Sequence, residues 1–520
     1  MKLSHYLKDI SENIISISNF ADVEIDYITN DSRKVVSNTL FVAIKGTSLN
    51  GHEYIENAIS SGACVVVYKD RPKVFLDKVV YIEVDDAYYV YALAAETYFQ
   101  FPAENIKIIG ITGTNGKTTC AFLISHILNY VGFKTGLIST VHYSYENKIV
   151  PALRTTPEPF ELQSLLSEMN SAGCKYVVME VSSHSLIQSR LGRTKLAAAL
   201  FTNLSGEHLD YHGDMKNYYL AKKRLFEMYS PGSDAETLKV INIDDFYGGN
   251  LISELSVKRL VTYGSGKNSD FGFLCDNTGT ITDLFIANKR YNVETSLIGR
   301  FNAYNITGSV ALCLELGISA DMIIEALKCF SSVPGRLEVL YTSNNARCYV
   351  DYAHTDDALK RALTALKGLN PSRLIVVFGC GGDRDKIKRP RMGKIASELA
   401  DIIIITDDNP RTENSLDIIN DIILGIPQAE LISKSFSHIS DLNRKIETIN
   451  YEFAKSANLN KQFKIIPDRE EAISYAVGLA EKNDVILIAG KGHEDYQEIG
   501  TKRYPFDDRK VVKSLNLKES

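Results

Sequence analysis

Ile108-Ile109-Gly110-Ile111-Thr112-Gly113-Thr114-Asn115-Gly116-Lys117-Thr118-Thr119 decides how this chain is read. An apolar strand runs into a glycine-rich turn, then Lys-Thr, then a helix-period segment carrying Ala121, Phe122, Ile124, Ile127 and Leu128. Glycines let backbone N–H groups close around phosphate oxygens, and a helix N-terminus adds partial positive charge. Gly113, Thr114, Asn115, Gly116, Lys117, Thr118 and Thr119 are therefore candidate contacts to ATP. Lys117 would reach the β- and γ-phosphates, and the Thr118 hydroxyl would bind Mg²⁺. The stretch departs from the general phosphate-loop consensus, because Ile111 stands where the first glycine belongs.

Outward from this loop, short apolar runs alternate with Gly- or Asp-rich loops and helical segments, the pattern of α/β units on a largely parallel sheet. Linker-like stretches at Phe101-Pro102 and at Ser331–Gly335 divide the chain into a small α/β N-terminal module (1–102), a central phosphate-loop ATPase-like α/β domain (103–335) and a C-terminal Rossmann-like α/β domain (336–520). In the last segment the runs Arg347–Tyr352, Leu374–Gly379, Ile402–Asp407 and Val485–Gly490 each end in a polar loop. Ligands of open α/β sheets gather at such carboxyl ends.

Composition narrows the classes. Over 520 residues, 45% hydrophobic and 23% charged residues describe an ordinary globular chain, and a formal charge of −6 gives no reason to expect nucleic acid. No run approaches the roughly 20 apolar residues of a bilayer span, and the start, Met1 to Asp9, lacks the apolar stretch of a signal peptide. The 8 cysteines are scattered without a C-x-x-C pair, so neither disulfides nor zinc are expected, Cys64 and Cys313 read as buried thiols, and the expected location is the cytoplasm.

Two further strands point at the loop. Tyr176–Val181 carries Glu180 at its end, where a Mg²⁺ ligand is wanted near a phosphate loop, although a strand-end acid is by itself more often solvated. Ala198–Asn203 leads into Ser205-Gly206-Glu207-His208, and His208 is a second candidate ligand. Lys222 lies in an amphipathic helix and, on pattern alone, reads as a solvated surface charge.

Taken with Arg154-Thr155-Thr156-Pro157, Glu180-Val181-Ser182-Ser183-His184 and the stretch Asn203 to Asp214, the phosphate loop resembles that of the Mur ligases, which build the peptide of bacterial cell-wall precursors. The resemblance covers nearly the whole chain, including Asp31-Ser32-Arg33 in the first module. Asp351-Tyr352-Ala353-His354-Thr355, Phe378 to Lys386, Asp408-Asn409-Pro410-Arg411 and Gly490-Lys491-Gly492-His493-Glu494 are most similar to the members that add the third amino acid as meso-diaminopimelate. Asp356-Asp357 departs from the family, which commonly has Pro before the second acid.

The resemblance implies an ATP-dependent ligase of the cell-wall, cell-shape and cell-division pathway. It implies UDP-N-acetylmuramoyl-L-Ala-D-Glu and meso-diaminopimelate as substrates, Mg²⁺ as cofactor and a monomer. It further implies Lys117, His208 and Lys222 as catalytic, with Thr118, Glu180, His208 and an N6-carboxylated Lys222 as metal ligands. Asn302, Arg336 and Asp351 become ATP-side contacts. Ser32, Thr155, Thr156, Ser182, Gln188 and Arg190 would grip the UDP-substrate. Arg384, Asp408, Asn409, Arg411, Gly490 and Glu494 would form the amino-acid pocket; without the resemblance, Asp408 to Arg411 reads as an ordinary Asn-Pro turn. Three alternatives share parts of the pattern: a folylpolyglutamate synthetase, a non-ligase phosphate-loop ATPase, and a non-catalytic binding protein on the same fold.

Overall fold

The computed structural model describes residues 1–518 except 47–48, 73–74, 228–236, 256–258, 267, 277, 287–288, 343 and 427–461. The chain forms two compact units, Met1–Phe271 with Thr307–Ile323, and Gly272–Ile306 with Ile324–Ser520.

The first unit holds two sheets. One has five strands in the order Ile14–Ser18, Val80–Val84, Ala63–Tyr68, Thr39–Val42, Tyr27–Thr29, parallel except for the first. At the centre of the other lies Lys107–Thr112, flanked in parallel by Tyr176–Glu180 and Leu196–Phe201. Leu238–Asn242 and Leu260–Tyr263 extend it on one side, and Thr135–Ile138 with the antiparallel pair His142–Tyr145 and Lys148–Pro151 on the other. The three central strands are buried on both faces, apart from Lys107 at one end and a half-buried Ala197, as covered parallel strands must be. Their near-continuous Val, Ile, Leu and Ala runs follow from that burial. The parallel register sets the ends of all three beside one another: Glu180 pairs with Ile111, and Phe201 with Thr112. An aromatic group of Tyr27, Tyr98, Phe99 and Phe160, with ring centroids 4.9 to 5.2 Å apart, packs the first sheet's surroundings against the helix Pro159–Ser171.

The second unit contains a six-stranded sheet in the order Glu338–Tyr341, Arg347–Asp351, Val485–Ala489, Leu374–Phe378, Ile402–Ile405, Gln462–Ile465, parallel except for the first strand. The four runs read as strands in the sequence are its four central strands, and their following loops share one edge. A hairpin, Tyr496–Ile499 with Lys502–Pro505, comes directly after one of these loops.

The α/β class expected from the alternating pattern is the class found. Among the described residues no helix is long and apolar enough to cross a membrane. Cys313 is buried, as expected, whereas Cys64, near the start of the sheet's central strand, is only half-buried, its thiol 3.7 Å from the Glu24 and Thr39 carbonyls.

Candidate functional site

The phosphate loop is shaped by its neighbours as much as by its glycines. Gly113 has φ +148°, and a methyl group there would overlap Thr202 Oγ1 and lie 3.0 and 3.1 Å from the Asn203 O and N atoms. Asn203 staples the loop: its backbone O accepts from Thr114 N at 2.8 Å, its side-chain Oδ1 from Asn115 N at 3.0 Å, and its Nδ2 donates to Asn115 O at 3.0 Å. The Thr202 hydroxyl donates to the same Asn115 carbonyl at 2.6 Å. Gly116, with φ +90°, then starts the helix Lys117–Tyr130, which has no side-chain cap. A helix N-terminus of this kind favours an anion through its partial positive charge.

Two lysines converge on this loop. Lys117 Nζ donates to the carbonyls of Gly113 and Thr114 at 2.9 and 2.7 Å, and Lys222 Nζ donates to the same Gly113 carbonyl at 2.7 Å. Lys222 is only 2% exposed, so the surface role suggested by its helix is overturned. The cause is the helix face: Tyr218, Ala221, Lys222, Leu225 and Phe226 form one buried stripe of Met215–Glu227, and the lysine lies within it. Its ammonium sits 4.7 Å from the centre of the Tyr218 ring and has no salt bridge among the described residues. Burial, with Lys117 nearby, holds its pKa well below the usual lysine value. The Tyr218 hydroxyl also pairs with Thr114 Oγ1 at 3.2 Å, and the same ring lies 6.3 Å from that of His208. Tyr218 thus links the loop, Lys222 and His208, a role sequence reading missed although it occupies the same helix stripe. Burial, then the nearby cationic side chains, keeps His208 below its ordinary pKa, hence neutral.

Glu180 is fully buried rather than solvated, and its carboxylate accepts from the Thr140 N–H at 2.8 Å and the Thr140 hydroxyl at 3.2 Å. The sheet register puts this side chain at the loop's level, where its parallel partners also end. Thr118 is buried at the helix start. Among the described residues no three His, Cys, Asp or Glu side chains group as a metal centre, and the expected set contains only two of that kind, Glu180 and His208. A hydroxyl, a carboxylate, an imidazole and an amine whose pKa is lowered suit a hard divalent ion once the amine is converted to an oxygen donor.

Apart from Ser32, the expected UDP-substrate residues form one network. Thr155 Oγ1 accepts from Thr140 Oγ1 at 3.1 Å, Thr156 Oγ1 donates to Glu180 O at 2.9 Å and accepts from Ser182 N at 3.0 Å. Arg190 Nη1 donates to Thr156 O at 2.7 Å, its Nε to Gln188 Oε1 at 2.9 Å, and its Nη2 pairs with Glu158 at 3.0 Å. Thr140 and Glu158 were not singled out in the sequence. Ser32 lies apart from this network, half-buried in a short turn whose Asp31 holds Arg33.

In the second unit the loops at the sheet's carboxyl edge meet. Asp408, Asn409, Glu494 and Lys491 are close together: Asn409 Nδ2 donates to Glu494 Oε2 at 3.1 Å, and Lys491 Nζ donates to Asn409 Oδ1 at 2.8 Å. Gly490, φ +120°, faces Asp408, whose carboxyl carbon an added methyl would approach to 3.5 Å. Arg411 adopts a left-handed backbone, φ +51°, that a non-glycine residue holds only when its surroundings impose it. The hairpin imposes it: Arg411 N donates to Glu498 O at 3.1 Å, and Gly500 N donates to Arg411 O at 2.8 Å. Arg411 Nε then donates to Glu498 Oε2 at 2.9 Å and Nη1 to Gly382 O at 2.8 Å, which directs the guanidinium. Arg384 and Arg411 both lie beside Gly381, since an added methyl there would be 3.7 Å from Arg384 Cγ and 2.9 Å from Arg411 Nη1. Arg336 lies 4.6 Å from the centre of the Tyr352 ring, and Asp351 accepts from Leu337 N at 2.7 Å. Asn302, in the helix Arg300–Glu315, donates to Ile298 O just before that helix at 2.9 Å and accepts from Asn305 Nδ2 at 3.1 Å.

Comparisons with known proteins match this arrangement along the chain. Sequence models described as Mur ligase family, catalytic domain, as Mur ligase middle domain and as Mur ligase, glutamate ligase domain match residues 24–98, 111–313 and 335–492. A Clostridium acetobutylicum protein is 39% identical over 517 residues, covering 98% of both chains. The chain belongs to the Mur ligase family. Among its Mur ligase relatives, the Clostridium protein is named UDP-N-acetylmuramoyl-L-alanyl-D-glutamate--2,6-diaminopimelate ligase 1. An Aquifex aeolicus protein with that name, without the numeral, is 41% identical over 489 residues, covering 94% of this chain and 93% of its own. A solved structure titled as that ligase aligns with a TM-score of 0.63 at 28% identity, covering 98% of this Mur ligase and 100% of its own chain.

Proposed function

We propose that this Mur ligase joins meso-diaminopimelate to the D-glutamate carboxylate of UDP-N-acetylmuramoyl-L-Ala-D-Glu, consuming ATP and passing through an acyl phosphate. The observation that carries the substrate assignment is the charge pattern of the pocket in the second unit. A directed arginine, Arg411, lies two residues beyond the buried Asp408–Asn409 pair, whose neighbour is Glu494. That pattern suits the far end of diaminopimelate, which bears both a carboxylate and an ammonium, whereas lysine bears only the ammonium. The relatives' shared name agrees with it.

The chemistry brings one anion to another, because a carboxylate attacks the γ-phosphate. Lys117 supplies a compensating cation, and the helix N-terminus supplies N–H donors that need no reorganisation. Thr118, Glu180, His208 and Lys222 as its carbamate would hold Mg²⁺, which would neutralise phosphate charge when bound. Residues 1–102, 103–335 and 336–520 are assigned to UDP-substrate, ATP and amino acid, with Ser32, Thr155, Thr156, Ser182, Gln188 and Arg190 gripping the UDP-substrate. Asn302, Arg336 and Asp351 complete the ATP contacts, and Arg384 and Gly490 complete the amino-acid pocket. Peptidoglycan precursor synthesis in the bacterial cytoplasm, by a monomer, is the corresponding cellular setting.

The test is ADP release with ATP, UDP-N-acetylmuramoyl-L-Ala-D-Glu and a panel of amino acids. Turnover with meso-diaminopimelate is expected. ATP hydrolysis that ignores both other substrates would refute the ligase reading and favour a phosphate-loop ATPase.

A further inference from the structure

Lys491 is wholly buried, and its ammonium has four partners drawn from two segments. Nζ donates to Asn409 Oδ1 and to the Tyr496 carbonyl at 2.8 Å each, and it lies 3.6 Å from Asp408 Oδ1 and 3.6 Å from Glu494 Oε2. We propose that Lys491 is a positioning residue, the fixed counter-charge that sets the amino-acid pocket to accept one ammonium group of the incoming amino acid. The inference rests on the amino-acid pocket described above and adds to it a residue and a role.

Asn409 Oδ1 receives two donors, Lys491 Nζ and the Glu498 N–H at 2.9 Å. With its oxygen so held, the amide can present only its Nδ2 to Glu494, which it does at 3.1 Å. Lys491 therefore fixes the direction of Glu494 through Asn409 as well as by charge. Asp408 Oδ1 is buried and has no hydrogen-bond partner among the described residues. A buried carboxylate oxygen left in this way is costly unless a donor arrives.

The charges give the same answer. Two carboxylates, Asp408 and Glu494, face one lysine and are left one negative charge in excess. Arg469, packed beneath, does not supply the difference, because it is fully buried against Asp508, with Nη2 2.8 Å from Asp508 Oδ2. On the other side, Glu498 is shared between Arg411 at 2.9 Å and the exposed Arg503 at 3.8 Å, leaving a positive excess there. One end of the pocket thus calls for a cation and the other for an anion, the two charges of an amino-acid terminus. Burial lowers the Lys491 pKa while Asp408 raises it, and burial together with Asp408 raises that of Glu494. A lysine serving only as an internal staple would not need two acids beside it, and apolar replacement of such a group is often harmless.

The experiment compares full-length wild type, Lys491→Met and Lys491→Gln, with KM measured separately for meso-diaminopimelate, ATP and the UDP-dipeptide. The glutamine keeps a donor for Asn409 without the charge, and it carries the comparison if the methionine variant does not fold. The KM for diaminopimelate should rise about tenfold to a hundredfold, the worth of one charge-assisted contact, while the other two KM values stay within about twofold. In the variants, kcat/KM for diaminopimelate should also fall on the acid side of neutrality, because Glu494, whose pKa burial and Asp408 raise and Lys491 lowers, takes up a proton more readily without that cation. A loss of thermal stability with all three KM values and the pH profile unchanged would make Lys491 a staple and overturn the proposal, leaving the ligase reading intact. A wild type that turns over no diaminopimelate overturns both.

Discussion

Replacing Gly113 by alanine should disable the phosphate loop, for reasons that can be counted. The backbone at φ +148° is a conformation that side-chain-bearing residues avoid, at a cost on the order of 1–3 kcal/mol. The added methyl also overlaps Thr202 Oγ1, forcing that hydroxyl from its 2.6 Å bond to Asn115 O, which adds about 1 kcal/mol. The combined destabilisation is about 2–4 kcal/mol. The catalytic penalty comes on top, because Asn115 and the N–H groups that follow lose their placement, and a shift of about 1 Å in a positioning group costs roughly a hundredfold. Denaturant unfolding would measure the first effect, and ADP release at saturating substrates the second. The double variant Gly113→Ala/Thr202→Ala separates the two causes. It removes the overlap but not the backbone strain, so its destabilisation should fall short of the sum of the single variants by about 1 kcal/mol. A Gly113→Ala protein with near-normal stability and turnover, or strictly additive single variants, would refute this account of the loop.

Other outcomes follow from the same structure. Lys222→Ala should be inactive, and short carboxylic acids should restore part of the activity by standing in for the carbamate; full activity at low CO₂ would remove that role. L-Lysine should be used at least roughly a thousandfold less efficiently than meso-diaminopimelate, and Arg411→Ala should lose most of the difference, as competing ADP-release assays would report. Glu96, 3% exposed and pushed up to about 7 by burial, keeps its proton in the folded state at pH values where the unfolded chain has lost it. Its contribution is therefore present at low pH and is lost as pH rises from about 4.5 through 7, by up to about 3 kcal/mol. Melting curves at pH 5 and pH 8 should differ less for Glu96→Gln than for the wild type.

The sequence by itself determined the α/β class, the phosphate loop and the four loops that line the second unit's sheet edge. Those features are written in local patterns: a strand of Ile and Gly residues, Gly-Lys-Thr at a helix start, apolar runs bounded by Asp and Gly. They specify their own conformation over a few residues, so reading along the chain finds them. The resemblance of the motifs then suggested a role for Lys222 that its helix position alone argued against. Only the tertiary structure decided where that charge lies. Lys222 is a surface residue if its helix faces water on that side and a buried one if Leu225, Phe226 and Tyr218 share its stripe against the loop, and periodicity cannot weigh one lysine against three apolar neighbours. Glu180 was a strand-end acid until the Thr140 N–H, 40 residues away, gave its carboxylate a buried partner. Lys491 stood within a quoted motif without a role, because its meaning depends on Asn409 and Asp408, 82 and 83 residues earlier in the chain. A buried charge is stable only through the partners that surround it, and those partners are assembled by the sheet, not by the sequence near the charge.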